Sequence, residues 1–398
     1  MKYEEYECLF LDRAQDHAGY EILLQERVDD QDRQGGNNIA RCKLKSQYVV
    51  GEKIPKTQYV VFQGFSGLFR LVRARRPVHT GSEGRRRRNL VSFTVTLSNV
   101  LLTLMYLLPG FALCKFGKVK HEHLSSLSVI LLYICGFCLY VNALYGLEPT
   151  AELFTRMGLF LLISLAAEFA LMAILLLLLG KRRKEFRLRM LSIACVMGNV
   201  GFFGMPVVRA LFPGVPEAAV YSSVFNTSLN ILAWTVGVYT LTGEKKYISF
   251  RAAFLNPSVL AVIAGIVLCL LRAKNWLPDL FRTGFSAFAG MSTPLCMVIL
   301  GIRLATMDFR SLFTTRLAWV IAAGKLLVFP LFCYLLVLPL PLDPVFKGSM
   351  LILGATPCAS ILLNLAEIHH HGQDLAANCA LLTTLLSVVT IPLLSLLL

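Results

Sequence analysis

Ten stretches of about 20 mostly apolar residues follow one another between residues 90 and 398. A helix of this length crosses the hydrocarbon core of a bilayer, which is roughly 30 Å thick. The runs are continuous rather than alternating, which disfavours a membrane β-barrel. The pattern predicts an all-α polytopic membrane protein with ten transmembrane helices. The predicted spans are 91–114, 124–145, 154–179, 189–211, 217–241, 255–272, 281–302, 316–338, 345–367 and 375–397.

Two of these spans carry residues that break a helix. The fourth contains the segment GNVGFFGMP at 198–206, and the ninth contains GATP at 354–357. Proline removes a backbone donor and clashes with the preceding helical turn. Backbone groups freed inside a bilayer must find partners within the protein or along a water-filled cavity. One broken span in each half of the chain is typical of a secondary transporter with a mid-membrane site.

The two breaks also define a repeat, because Pro206 and Pro357 lie 151 residues apart. This offset maps spans one to five onto spans six to ten, to within about ten residues. Since five is odd, the two halves would enter the membrane in opposite directions, which is an inverted repeat. The predicted organisation is a first five-helix repeat at 90–242, a cytoplasmic linker at 243–254 and a second five-helix repeat at 255–398.

Composition and charge fit a membrane protein. Only 16% of the 398 residues are charged, whereas a soluble domain would carry about a quarter. The net charge of +15 could suggest nucleic acid, but the basic residues lie mostly between spans or in the N-terminal tail, so we expect no nucleic-acid partner. Basic clusters follow odd-numbered spans, at 115–120, 181–189, 245–251 and 310–316. The positive-inside rule then places these loops in the cytoplasm, and both ends of the ten-helix unit outside the plasma membrane.

Residues 1–89 differ from the rest of the chain. They hold half of the 24 acidic residues, contain no apolar span and end in Arg85–Arg88, which would lie on the outer face against the positive-inside rule. We expect this N-terminal extension to be poorly ordered or to reflect a mis-assigned start. A regulatory role for it stays open.

Neither the cysteines nor the histidines predict a metal site. Cys135 and Cys138 have metal-like spacing but fall mid-span without other soft ligands nearby. Three consecutive histidines, His369–His371, cannot share one helical face, so a solvated turn is expected there. The sequence contains no P-loop, nucleophile elbow or metalloprotease helix. We therefore expect no enzyme and no cofactor, with H⁺ or Na⁺ as the coupling ion.

Polar residues within the spans are candidates for substrate binding. Half-helix N-termini in a broken span present N–H groups that favour an anion, whereas unwound carbonyls hold a cation. Asn199 is expected to contact substrate or to tie two helices together. Asn226 and Asn230 lie on one face of span five and would line the cavity or bond between helices. The predicted set in and after the first break also includes Gly201, Gly204 and Pro206.

Four charged residues of the spans are interpreted by depth. Lys325 lies about ten residues into span eight and needs an anionic partner, either a carboxylate substrate or a structural ion pair. Glu168 lies mid-span and is a candidate for proton coupling or for pairing with Lys325. Arg209 and Arg303 lie near span ends and are expected to snorkel to the membrane interface.

The segment at 198–206 resembles the auxin efflux carrier family of permeases, which includes plant PIN carriers and bacterial malate or malonate permeases. The matching motifs, in the family's order, are Asn256-Pro257, Ser292–Leu295 with Leu300-Gly301, Lys325–Pro330, Thr356–Ala359 and Asn364–Ala366 through Gly372–Asp374. The resemblance covers about 90–398 and implies two inverted five-helix repeats whose fourth and ninth helices cross at their prolines. It also implies that Thr356, Pro357, Ser360 and Asn364 lie near the cavity. The chain departs from the family pattern in two places. The family usually has a Leu-Pro break in span two, where this chain has Ile134–Cys138, and an asparagine soon after the proline of span nine, where this chain has Ser360 and Ile361.

These features together predict a secondary active transporter for a small organic anion, such as a mono- or dicarboxylate. It would work by alternating access with H⁺ or Na⁺ coupling, in a lipid bilayer, and a homodimer stays open. The alternative is a membrane ligand sensor or receptor on a transporter fold without net transport.

Overall fold

The computed structural model describes residues 82–307, 309–369 and 372–398, and within them the fold is all-helical. Residues 1–81 of the predicted N-terminal extension (1–89) therefore lie outside the described residues. The first helix begins at Ser82, nine residues before the predicted span. The α-helices of the first half are α1 (Ser82–Met105), α2 (Leu107–Lys115), α3 (Leu124–Ile130), α4 (Gly136–Leu144), α5 (Ala151–Leu179), α6 (Phe186–Ala194), α7 (Met205–Leu211), α8 (Glu217–Leu232) and α9 (Val238–Thr242).

The second half has the same alternation of long and interrupted helices. Its α-helices are α10 (Phe250–Phe254), α11 (Pro257–Leu270), α12 (Asp279–Thr306), α13 (Phe309–Thr314), α14 (Arg316–Ala323), α15 (Phe329–Val337), α16 (Pro344–Gly354), α17 (Ser360–Ile368) and α18 (Gln373–Ser395). Short 3₁₀ turns lie at His121–His123, Gly180–Lys184, Lys245–Tyr247 and Ala273–Asn275.

Four π-helical turns interrupt the described helices, at Leu131–Cys135, Val200–Gly204, Ala233–Gly237 and Gly324–Val328. A π turn leaves part of the regular hydrogen-bond ladder unmade and often marks a functional position in a helix. The sequence patterns did not predict these turns. One of them follows Asn199 directly and lies inside the first predicted break, and another contains Lys325.

Seven helical segments of the described residues are long and apolar enough to cross a membrane. They are 92–115, 121–144, 151–182, 245–270, 279–306, 316–337 and 373–395, which correspond to predicted spans one, two, three, six, seven, eight and ten. Predicted spans four and nine are divided into short helices. The helix at 217–242 is long enough, but its polar residues lower its hydropathy. The multi-pass membrane fold is thus established, while the count of ten spans stays a prediction.

Both predicted breaks are present and they lie against each other. Residues 195–199 and 355–359 are each five residues of non-helical backbone. Gly198 and Cys358 form an isolated antiparallel bridge. The Asn199 N–H donates to the Pro357 carbonyl at 2.8 Å, and the Ala359 N–H donates to the Met197 carbonyl at 3.2 Å. Backbone groups freed in one break are therefore satisfied by the other, as the absence of water in a bilayer requires. We call this paired segment the crossover.

The position of the first break differs from the prediction at Pro206. That proline lies in the first turn of α7, after the π turn, while the backbone leaves the helix at 195–199. Helical backbone begins at Val200 and continues into α7, so Pro206 lies inside it, directly after a π turn where the regular hydrogen-bond ladder is already interrupted. Pro357, in contrast, lies inside the non-helical segment itself. The glycines and the pairing with the second break, rather than Pro206, define where α6 stops.

Small residues bring the helices around the crossover into close contact. A Cβ on Gly110 would lie 2.1 Å from the Val298 carbonyl oxygen, and one on Gly301 would lie 2.1 Å from the Leu107 carbonyl oxygen. Helices α2 and α12 therefore pack backbone to backbone, which only glycine permits. Helix α12 also packs on α4, so the walls around the crossover are held by close helix contacts.

Candidate functional site

A cavity of about 450 Å³ lies beside the crossover. Both breaks contribute to its wall, through Gly198 and Asn199 on one side and Ala359 and Ser360 on the other. The rest of the lining is mostly apolar, with Leu229 and Ile299 among the contacts. A concave, mainly apolar pocket with a few convergent polar groups is the usual form of a small-molecule site. The crossover therefore borders a space of the size that a small ligand occupies.

Five asparagine side chains supply most of the polar groups of this cavity. They are Asn199, Asn226, Asn230, Asn256 and Asn364. All but Asn256 belong to the set predicted from the sequence, and predicted Ser360 also lines the cavity. An amide offers two donors and an acceptor without a charge. The cavity can thus bind carbonyl, carboxylate or hydroxyl oxygens through neutral groups.

Asn256 was not among the predicted binding residues and appeared only in the family motif Asn256-Pro257. Its Oδ1 accepts from the Val259 N–H at 3.0 Å, and its Nδ2 donates to the Ala253 carbonyl at 2.8 Å. The side chain therefore caps the start of α11, where Pro257 follows it. An Asn-Pro pair is typical of a helix start, so the capping role of Asn256 could have been predicted from the sequence.

Asn226 is the amide with hydrogen-bonding capacity to spare. Its buried Nδ2 finds no hydrogen-bond partner within the described part of the chain. By comparison, the Nδ2 of Asn230 donates to the Asn226 carbonyl at 2.7 Å, and that of Asn199 lies 3.6 Å from the Cys296 sulfur. A buried donor without a partner costs free energy, which a bound acceptor would recover. Asn226 is accordingly the clearest unfilled contact on the cavity wall.

The start of α17 adds a partial positive charge to the cavity. Ala359, Ser360 and Ile361 form the first turn of this half-helix and line the space. The first N–H groups of a helix lack intrahelical acceptors and carry the positive end of its dipole. This end of α17 therefore favours an anion in the cavity.

Arg303 is the charged side chain that lines the cavity, and among the described lining residues no other is charged. Its Nη1 donates to Glu367 Oε1 at 2.5 Å and its Nη2 to Oε2 at 3.4 Å. The Arg303 side chain is only 9% exposed. The prediction that Arg303 snorkels to the interface is thus wrong, because its partner on α17 holds it inside. A position near a span end does not reveal such a partner in sequence.

Lys325 does not line the cavity, although the sequence placed it in the binding set. Its fully buried Nζ donates to the Gly354 carbonyl at 2.6 Å and lies 4.5 Å from the Phe329 ring centre. A Cβ on Gly198 would lie 2.9 Å from this nitrogen. Lys325 therefore contacts the crossover without lining the cavity. It meets the C-terminal end of α16, where the half-helix dipole is negative.

Glu168 is also buried away from the cavity. Its Oε1 accepts from the Ser228 hydroxyl at 2.6 Å, whereas Oε2 has no partner in the described residues. Glu168 and Lys325 influence each other electrostatically, but no ion pair within 4.0 Å joins them. The structure therefore does not contain the direct ion pair between Glu168 and Lys325 that was one of the predicted alternatives.

Five further predicted residues shape the crossover rather than lining the cavity: Gly201, Gly204, Pro206, Thr356 and Pro357. A Cβ on Gly201 would lie 1.9 Å from the Tyr140 hydroxyl oxygen. A Cβ on Gly204 would lie 2.8 Å from Leu353. The Thr356 hydroxyl donates to the Leu353 carbonyl at 2.7 Å. These residues lie in or beside the crossover, and the cavity is lined by their neighbours in the chain.

The predictions about metal ligands concern Cys135, Cys138 and the three histidines. Across the described ranges, no group of three or more His, Cys, Asp or Glu side chains could hold a metal ion. Cys135 and Cys138 are free and buried. His369 stacks edge-on against Tyr247 at 4.4 Å between ring centres, and His370 and His371 lie outside the described residues.

The chain is similar to known membrane transport proteins. Residues 246–395 match the family described as membrane transport protein, which confirms the resemblance to the auxin efflux carrier family. An uncharacterized transporter of Methanocaldococcus jannaschii is 25% identical over 308 residues, covering 75% of this chain and 97% of that protein. One of Methanothermobacter thermautotrophicus is 27% identical over 316 residues, covering 76% and 98%. A Rhizobium meliloti protein named "Putative malonate transporter" is 25% identical over 305 residues, covering 71% and 92%.

Proposed function

We propose that this protein is a secondary active transporter for a small organic anion, such as a mono- or dicarboxylate. The observation that carries the proposal is the cavity beside the crossover, where neutral amides, the start of α17 and Arg303 converge. These groups suit a carboxylate, which accepts hydrogen bonds and is attracted by positive charge. The name of the Rhizobium meliloti relative supports the same class of substrate.

The transport mechanism we propose is alternating access built on an inverted repeat. Matched five-residue breaks that pair antiparallel are what two oppositely inserted five-helix halves would produce. The loop charges support a plasma-membrane orientation with both ends of the ten-helix unit outside. One bundle of helices would carry the crossover and its cavity past a more static bundle. The substrate would then meet one side of the membrane at a time.

For the coupling ion we propose H⁺ rather than Na⁺. In broken-helix transporters, half-helix C-terminal ends and unwound carbonyls coordinate the coupling cation. Here the Lys325 ammonium already binds such a carbonyl, that of Gly354. The unpartnered Oε2 of buried Glu168 is the position at which a proton would be taken up and released. Lys325 thereby replaces the metal ion, and Glu168 carries the moving charge.

Uptake by purified protein in liposomes tests this proposal. Radiolabelled malonate, malate and acetate are offered with an acid-outside pH gradient, with Na⁺ or with choline in its place. We expect saturable uptake of at least one of them, driven by the pH gradient and unchanged by choline. Uptake that requires Na⁺ would refute the choice of ion. Stabilisation by these anions in a thermal-shift assay without uptake would favour a ligand sensor instead.

The Glu168→Gln variant tests the coupling residue in the same liposomes. Glutamine keeps an oxygen to accept from Ser228 but cannot exchange a proton. We expect accumulation against a gradient to disappear while exchange of internal for external anion persists. Accumulation at the wild-type level would exclude Glu168 from coupling.

A further inference from the structure

Arg303 and Glu367 lie between two cavities. Arg303 lines the cavity beside the crossover, and both residues line a second open cavity of about 890 Å³ that also includes Asp374 and Asn378. Arg303 lies in the last turn of α12, and Glu367 lies near the end of α17. The same half-helix therefore presents its N-terminus to the crossover cavity and, two turns later, the carboxylate that pairs with Arg303.

The two partners of this ion pair are unequal in their access to water. The Arg303 side chain is 9% exposed and the Glu367 side chain is 37% exposed. A guanidinium buried to this degree needs an anion close by, because an unpaired buried charge is costly. A carboxylate with more than a third of its surface exposed can be hydrated if it loses its partner. Arg303 therefore needs an anion beside it at all times, whereas Glu367 can leave the pair and be hydrated.

We propose that Arg303 binds the carboxylate of the transported anion and that Glu367 is its counter-ion when the cavity is empty. The incoming carboxylate takes the place of Glu367 on the guanidinium fork, whose geometry matches a carboxylate in two parallel hydrogen bonds. Glu367 turns towards the second cavity. This inference rests on the proposed function and names the residue that recognises the charge.

The same arrangement defines which anions are favoured. Among the described residues of the cavity wall, Arg303 is the one cation, and the other polar side chains are neutral amides, hydroxyls and the Trp234 indole. A single carboxylate on Arg303 is therefore matched in charge, whereas a second ionised carboxylate would meet only dipoles. We infer a preference for substrates that carry one negative charge when bound, with hydroxyl, carbonyl or protonated carboxyl groups held by Asn226 and its neighbours.

The test compares Arg303→Gln, Arg303→Lys and Glu367→Gln with a matched control, Arg282→Gln. Arg282 lies on the same helix in an exposed pair with Asp279, so its loss changes the net charge equally. With acetate, malonate and malate as probes, we expect Arg303→Gln to raise KM about 30-fold or more, and Arg303→Lys to restore it only in part. Glu367→Gln removes the competing anion and should lower KM several-fold. Arg282→Gln should leave it unchanged.

Thermal unfolding provides a readout independent of transport. In Glu367→Gln the buried guanidinium has lost its counter-ion, so the probes should raise the unfolding temperature more than in wild type. If Arg303→Gln fails to fold, the thermal response of Glu367→Gln to the probes alone tests the assignment. Wild-type KM in Arg303→Gln, or an unchanged response to the probes in Glu367→Gln, would overturn the assignment while leaving the proposed function standing. If wild-type protein neither binds nor moves any of the probes, the proposed function itself fails, and the assignment fails with it.

Discussion

The two sides of the crossover offer a charged group very different surroundings. On one side, Asn199 and Ser360 face a cavity that Arg303 also lines. On the other, Lys325 is fully buried and bonded to the backbone at the end of α16. Gly198 separates the two, since it lines the cavity while a Cβ on it would lie 2.9 Å from the Lys325 nitrogen. Gly198 thus lies close both to the cavity proposed to bind the anion and to the buried ammonium of Lys325.

In the mechanism proposed above, the two buried cations have separate tasks. Arg303 has a partner that it can exchange, because Glu367 is partly exposed. Lys325 has a backbone carbonyl that cannot leave, because Gly354 ends α16. A cation fixed on carbonyl dipoles holds the crossover together, while one fixed on a side chain is available to a ligand. The predictions below separate these tasks.

The largest effect is expected for Lys325→Met, which keeps much of the volume but removes the ammonium. The Gly354 carbonyl then loses a charge-assisted hydrogen bond, which typically contributes about 1.5–3 kcal/mol. If the crossover needs this bond in order to move intact, the uptake rate should fall roughly 10- to 100-fold. Lys347→Met is the control, because Lys347 bonds the Leu338 carbonyl in an exposed contact. Normal uptake by Lys325→Met would show that Lys325 has no role in transport.

An intermediate effect is expected for Gly201→Ala. The added Cβ would lie 1.9 Å from the Tyr140 hydroxyl oxygen, and Tyr140 is itself 1% exposed, so one of the two must shift. Overpacking of this kind costs about 1–3 kcal/mol, which thermal unfolding in detergent would detect. Gly158→Ala, in α5 with nothing within 4 Å, should be neutral or slightly stabilising. Equal unfolding temperatures for the two variants would contradict close packing on the crossover.

The smallest effect is expected for Asn226→Ala on the cavity side. Its Nδ2 has no partner in the described residues, so folding should be unaffected, while a bound acceptor would be lost. One hydrogen bond contributes about 0.5–1.5 kcal/mol, which corresponds to a KM two- to tenfold higher for the transported anion. Asn275→Ala, in an exposed turn, is the matched control. An unchanged KM would remove Asn226 from the binding site.

Much of the fold could be predicted because its signals are local. Apolar runs, the glycines at 198–204 and the Thr356-Pro357 pair each act on their own segment of backbone, so the helices and both breaks lie close to where they were expected. The error at Pro206 has a local cause as well, since a proline predicts a helix break whether it lies within the break or two turns after it. The residues nearest the breaks, Asn199 and Ser360, followed from the same reasoning.

The burial of charged side chains could not be predicted in this way. Arg303 looked like a snorkelling residue because its partner, Glu367, lies 64 positions later in the chain. Lys325 looked like a cavity residue because its depth in the membrane is evident, whereas the side of the helix that meets the cavity depends on how α14 and α15 pack. The position of a residue around the helix axis decides whether its side chain lines the cavity or is buried between helices.

By itself, the sequence determined a multi-pass helical membrane protein with one broken helix in each half, since hydropathy and the preferences of glycine and proline act through the backbone nearby. It also singled out Asn199, Asn226, Asn230 and Asn364 as candidates for substrate binding. Tertiary structure alone decided that the breaks pair as an antiparallel bridge, that Lys325 bonds the Gly354 carbonyl, and that Arg303 lines the cavity with Glu367 as its partner. These contacts join residues far apart in the chain, and their stability depends on packing and on charges buried together.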